Sequence, residues 1–275
     1  MKIKAVAAFL AFSLAASVFG QVGLEIVVEE NDSGLTIVKS KGSAKILEIP
    51  AEIDGKPITA IGSAAFSHKG LVEVVIPDSV TDIGGGAFSF NELVALSIGS
   101  NVQQIGQGAF KGNKLSFVTL GSGVTSIGKG AFSGNLIENI VFPDGLVTID
   151  DYAFFDNKIS EVSFPASVTL IGEGAFSGNR LRAVVVGSGV TQVKDGAFYN
   201  NRISKVTLPE SLETLGKRAF DIRPIDGRIR GSIDYTDTGG KVLYTTANNF
   251  DTYYSFNGKK PGRYTLTESS WAWGE

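Results

Sequence analysis

The stretch GKGAFSGN, Gly128 to Asn135, places glycines on both sides of Lys129 in the manner of a phosphate-binding loop. The near-copy GEGAFSGN at Gly172 to Asn179 carries Glu173 where the lysine stood, and a carboxylate there repels phosphate. A phosphate loop is also singular and leads from one strand into a helix. Neither condition holds, so glycine here serves geometry. His68 is the only histidine, and a Ser-His-Asp triad would have to use it without any G-x-S-x-G elbow. One histidine and no cysteine exclude disulfides, thiolate nucleophiles and the usual zinc sites. Asp150, Asp151 and Asp156, beside Tyr152 and Phe155, are the best carboxylate cluster. They read as a Ca²⁺ or ligand site, or as a solvated corner where other residues replaced glycine. The second reading is preferred, because no loop follows the EF-hand pattern. The sequence therefore predicts a protein without catalytic residues, cofactor or metal.

What positions these residues is a repeat. Ala-Phe recurs at Phe66, Phe88, Phe110, Phe132, Phe154, Phe176, Phe198 and Phe220, always 22 residues apart. Ile61, Ile83, Ile105, Ile127, Ile149, Ile171, Val193 and Leu215 form a second column. Leu71 to Ile203 and Val74 to Val206 form two more. Asn91, Asn113, Asn135, Asn157, Asn179 and Asn201 form a polar one. A single coil cannot bury its own apolar side, so a fixed period predicts stacked coils with like residues in register. Gly-x-Gly at Gly84/Gly86, Gly106/Gly108, Gly128/Gly130 and Gly172/Gly174 marks a tight corner. The asparagines are assigned to the next corner, where Asn tolerates the left-handed conformation. Segments such as Leu71 to Pro77 read as strands pairing in parallel, one per coil, and Ser79 to Gly84 as a shorter extended edge.

The predicted architecture is thus a leucine-rich-repeat solenoid, a β-rich right-handed superhelix of eight units, with a small antiparallel β module at its C-terminal end. Residues 1–20, with Lys2, Lys4 and an apolar run, read as a signal peptide. Residues 21–48 read as an extended N-terminal cap, 49–220 as the repeats and 221–275 as the β-hairpin module. Loss of the leader takes the net charge from −3 to −5, which gives no basis for binding nucleic acid. No later stretch is long and apolar enough for a membrane span, so export to a secreted, periplasmic or surface location is expected.

The unit from Ile76 to Phe88, followed by Leu93-x-x-Leu96, closely resembles the BspA-type bacterial surface leucine-rich repeat. The resemblance covers about Ile49 to Phe220, with Asn at a position where many family repeats carry Cys. It implies an exported, adhesin-like, non-enzymatic protein whose partners are extracellular or surface proteins, including host matrix proteins. The strand alternation supplies a candidate binding face. One outward column is Glu73, Ala95, Phe117, Asn139, Glu161, Ala183 and Lys205; the next is Val75, Ser97, Thr119, Val141, Ser163, Val185 and Thr207. The alternative is a glycan-binding platform built from Tyr253, Tyr254, Tyr264, Trp271 and Trp273 in the tail.

Overall fold

The computed structural model describes residues 24–220 and, beyond them, only the backbone of five strand segments. The leader at 1–20 lies outside the described residues. The period works out as a β-solenoid of eight coils, numbered here by their phenylalanines. A typical coil contributes a two-residue strand, then the Ala-Phe corner, then a three-residue strand on another face. The short strands Asp82–Ile83, Gln104–Ile105, Ser126–Ile127, Thr148–Ile149, Leu170–Ile171, Gln192–Val193 and Thr214–Leu215 stack in parallel, each residue opposite the one 22 positions on.

The interior is what the columns dictate. All eight repeat phenylalanines are buried, and consecutive rings stack with centroids 5.0–5.4 Å apart and planes within 12°. The isoleucine column and the Leu71 to Ile203 column are equally buried. In the Val74 to Val206 column, Leu96 and Val162 are only partly covered.

At the N-terminal end, β1 (Leu24–Asn31) and β2 (Gly34–Gly42) form an antiparallel hairpin, and β2 pairs in parallel with β5 (Lys56–Ile61). β3 (Ile46–Glu48) lies parallel to Glu73–Val75, so the cap supplies the first rung of both sheets. A tight turn at Asp54 and Gly55, with φ of 51° and 75°, joins β4 (Glu52–Ile53) to β5; two left-handed residues match the twist of a hairpin. At the other end the tail backbone continues both sheets. Ser232–Thr236 pairs in parallel with Lys205–Thr207, and Tyr254–Ser255 pairs antiparallel with Thr214–Leu215. Two antiparallel pairs complete the tail, Ser232–Thr236 with Val242–Ala247 and Arg263–Thr267 with Ser270–Gly274. Capping a stack in this way removes open strand edges, which are aggregation templates. The hairpin signal at Asn257-Gly258 lies outside the described residues.

The three-residue strands fall into two sheets. One runs from Ile46–Glu48 through Glu73–Val75, Ala95–Ser97 and Phe117–Thr119 to Asn139–Val141; the other begins at Ala183–Val185. Between them the fifth coil, Glu161 to Ser163, has no strand pairing, an exception to the rule of one strand per coil. The position just after the strand is aliphatic in Ile76, Ile98, Leu120, Val186 and Leu208 but aromatic in Phe142 and Phe164. Those two rings sit 6.1 Å apart, wider than the 5.0–5.4 Å between successive spine rings. They also pack edge-on against spine rings Phe154, Phe176 and Phe198.

Candidate recognition face

The Gly-Phe corner, read above as structural, and the strand face, read as the candidate binding surface, are two faces of the same coils. At the corner, the second glycine of each pair is the one that needs left-handed backbone: Gly130 has φ 62°. Lys129 reaches Tyr152 of the next coil, its ammonium 5.7 Å from the ring centroid. The residue of this turn with positive φ just before each asparagine (Phe90, Gly112, Gly134, Asp156, Gly178, Asn200) takes the second left-handed turn.

The asparagine column therefore has a different role from the one assigned above. None of the six is left-handed, and all six are buried. Each Oδ1 accepts from the backbone N–H twenty residues earlier: Asn113 from Leu93, Asn135 from Leu115, Asn157 from Ile137. Each Nδ2 donates to two phenylalanine carbonyls, in its own coil and the one before; Asn135 reaches Phe132 and Phe110, both at 3.0 Å. The Phe110 and Phe132 carbonyls are each held by two asparagines. A buried polar ladder, satisfied throughout, runs beside the aromatic spine and fixes the register of one coil on the next.

The fifth corner departs from the pattern. Tyr152 stands where glycine is usual, at φ 57°, and its ring lies on Gly174, where a Cβ would come within 2.6 Å of it. Its hydroxyl donates to Glu173. That bond, with burial and the charges of Glu173 and Asp151, pushes the phenol up to about 12. The Asp151 carboxylate accepts from the Glu173 amide at 2.9 Å and from Lys194 at 3.2 Å. Burial raises its pKa, but these donors outweigh burial and hold the group below the ordinary range. Asp150 accepts from the Asp151 amide, and Asp156 sits at the following turn. Among the described residues no three such groups gather to hold a metal. His68, also left-handed at φ 57°, stacks on Phe90 at 4.9 Å.

On the strand face both predicted columns point outward. Ser97, Phe117, Thr119, Asn139, Val141, Glu161, Ser163, Val185 and Lys205 are exposed, and Glu73, Val75 and Thr207 half-buried. Parallel register sets Phe117 beside Asn139, and Thr119 between Ser97 and Val141. Phe117 is 54% exposed and Val141 66%, unusual for large apolar side chains. Two neighbours, Val94 and Leu136, join them and escaped the sequence reading. They precede the strands Ala95–Ser97 and Asn139–Val141, and the outward columns were drawn from the strands alone. Val185 belongs to the second sheet, beyond the fifth coil. Of the tail platform, Tyr253 lies outside the described residues, as do the side chains of Tyr254, Tyr264, Trp271 and Trp273. No helix among the described residues is long and apolar enough to cross a membrane.

Comparison with known proteins agrees with this geometry. The model of the BspA type leucine rich repeat region matches residues 43–158 and 103–224, in six copies. The pneumococcal vaccine antigen PcpA has a similar structure, with 18% identity over 74% of this chain and 67% of that one, at a TM-score of 0.54. A leucine rich cell surface protein of Faecalibacterium prausnitzii is 23% identical over 76% of this chain and 77% of its own, at a TM-score of 0.45. A leucine-rich repeat protein of Bacteroides ovatus is 17% identical over 80% and 78%, at 0.39. No curated protein matches the chain.

Proposed function

Because the chain belongs to the BspA-type leucine-rich repeat family, we propose that it is a non-enzymatic, adhesin-like recognition protein. It is exported and displayed at or beyond the cell surface, and binds extracellular proteins, host matrix proteins among them, through its strand face. The observation that carries this reading is the exposed apolar group Val94, Phe117, Leu136 and Val141 across coils two to four, interleaved with Ser97, Thr119 and Asn139. An aromatic anchor among aliphatic neighbours with polar groups around it is the composition of a binding hot spot. The rigid repeat beneath it supplies an extended surface that needs no ordering on binding. That a structurally similar protein is a pneumococcal vaccine antigen fits that placement.

The test is affinity for a panel of purified extracellular matrix proteins, with wild type and Phe117→Ala compared side by side. Loss of a central aromatic costs about 2 kcal/mol or more, roughly thirtyfold in Kd. Unchanged affinity for a bound matrix protein would remove the face from the account. Binding that vanishes only when residues 221–275 are deleted would transfer recognition to the tail and its aromatic residues.

A further inference from the structure

The strand face is not uniform in charge. In coils one to four its outward positions, from the residue after each asparagine corner through the strand, carry Glu73, Glu92 and Glu138 against the single cation Lys114. In coils five to seven the same positions carry Lys158, Arg180, Arg182, Arg202 and Lys205 against the single carboxylate Glu161. One column shows the change most directly. Glu92 and Lys114 are successive members of it and form an ion pair between coils, which holds the Glu92 carboxyl below its usual range. Further along the same column Lys158, Arg180 and Arg202 follow one another, all cations. Their amides bond to Ile137, Ile159 and Leu181 of the coil before, so the three lie in register. None of these five cations makes an ion pair among the described residues. Like charges on neighbouring rungs, whose backbones lie about 4.8 Å apart, repel. At its far end the backbone of Asp234 is the register partner of Lys205; the arginines stand one and two rungs away.

We infer that coils five to seven form a binding site for a linear sulfated polysaccharide, laid along the row of Arg180, Arg182 and Arg202. Guanidinium groups hold tetrahedral oxyanions through paired, charge-assisted hydrogen bonds. All three arginines are exposed, so a lone anion would gain only screened contacts, whereas a polymer engages several at once. The uncharged outward residues between them are Ser160, Ser163, Ala183, Val185, Ser204 and Thr207. They are short, which leaves the charged heads uncovered, and four of the six carry hydroxyls. No aromatic side chain occupies an outward position in these coils, so the base-stacking surface needed for single-stranded nucleic acid is absent there. This site goes beyond the apolar patch around Phe117 and shares no residue with it, so either can fail without the other.

The full chain is applied to immobilised heparin and eluted with a salt gradient, and its affinity is measured in solution. Wild type should be retained near physiological salt, and Arg180→Glu/Arg202→Glu should weaken binding about tenfold or more, since both lose charge-assisted bonds. Lys111→Glu/Lys129→Glu makes the same charge change on the glycine corner and should stay within about twofold of wild type, because exposed charges beyond a Debye length are screened. If the glutamate pair fails to fold by circular dichroism, Arg180→Gln/Arg202→Gln should still show a clear loss. Wild type passing through the column, or equal losses in the two glutamate pairs, overturns the assignment. So does binding of poly-glutamate or of a single-stranded oligonucleotide as tight as that of heparin.

Discussion

The asparagine corner and the strand face belong to the same coils, yet they behave oppositely along the stack. At the corner the side chains hardly change: phenylalanine follows phenylalanine, asparagine follows asparagine, and each contact is repeated one coil on. On the face the same number of positions runs through glutamate, phenylalanine, asparagine, valine and arginine. Where a residue must stack on its own copy in a buried row, only one type satisfies both neighbours. Where it meets solvent, the fold imposes almost nothing. Stability therefore belongs to the repeated interior, and the variable face is free to carry recognition.

The sharpest way to break that contrast is to damage one rung of the interior. Phe132→Ala removes a ring stacked on both sides and should destabilise the protein by about 3–5 kcal/mol, read by chemical denaturation. A smaller effect is expected at the polar ladder. Asn135→Ala leaves the Leu115 amide without a partner and takes one of two donors from the carbonyls of Phe110 and Phe132. An orphaned buried group of this kind costs about 2–3 kcal/mol, and hydrogen exchange at Leu115 should quicken with it. Smaller again is Gly134→Ala. Its φ is 67° and an added Cβ meets nothing closer than 3.9 Å, so the cost should be the left-handed penalty alone, about 1–2 kcal/mol. A cost near zero would show that backbone conformation is not what selects glycine there.

Much of this was legible because the period is strict. The phenylalanine, Ile61 and Leu71 columns were identified from residues 22 apart, including the eight rings of the spine, whereas the equally buried Val80 to Leu212 and Ile76 to Leu208 columns were passed over. The asparagines were visible as a column but misassigned, because the partners that explain them lie 20 and 25 residues back and only the folded stack brings them close. The left-handed residue proved to be their predecessor, such as Gly134 or Asp156. The interruption of the strand face was not foreseen either. It coincides with two successive rings, Phe142 and Phe164, 6.1 Å apart, at a position where hydrophobic patterning treats phenylalanine as equivalent to Ile76 or Leu120. On the recognition face, alternation selected Phe117 and Val141 within strands but passed over Val94 and Leu136 outside them.

The separation of stability from recognition is tested most directly by chemical denaturation of Phe117→Ala beside Phe132→Ala. Both changes remove the same ring from the same repeat array, one 54% exposed and the other fully buried. Phe117→Ala should unfold within about 0.5 kcal/mol of wild type, the range for a surface substitution, while Phe132→Ala loses several times that. Comparable losses in the two variants would contradict the account, because the strand face would then be part of what holds the stack together.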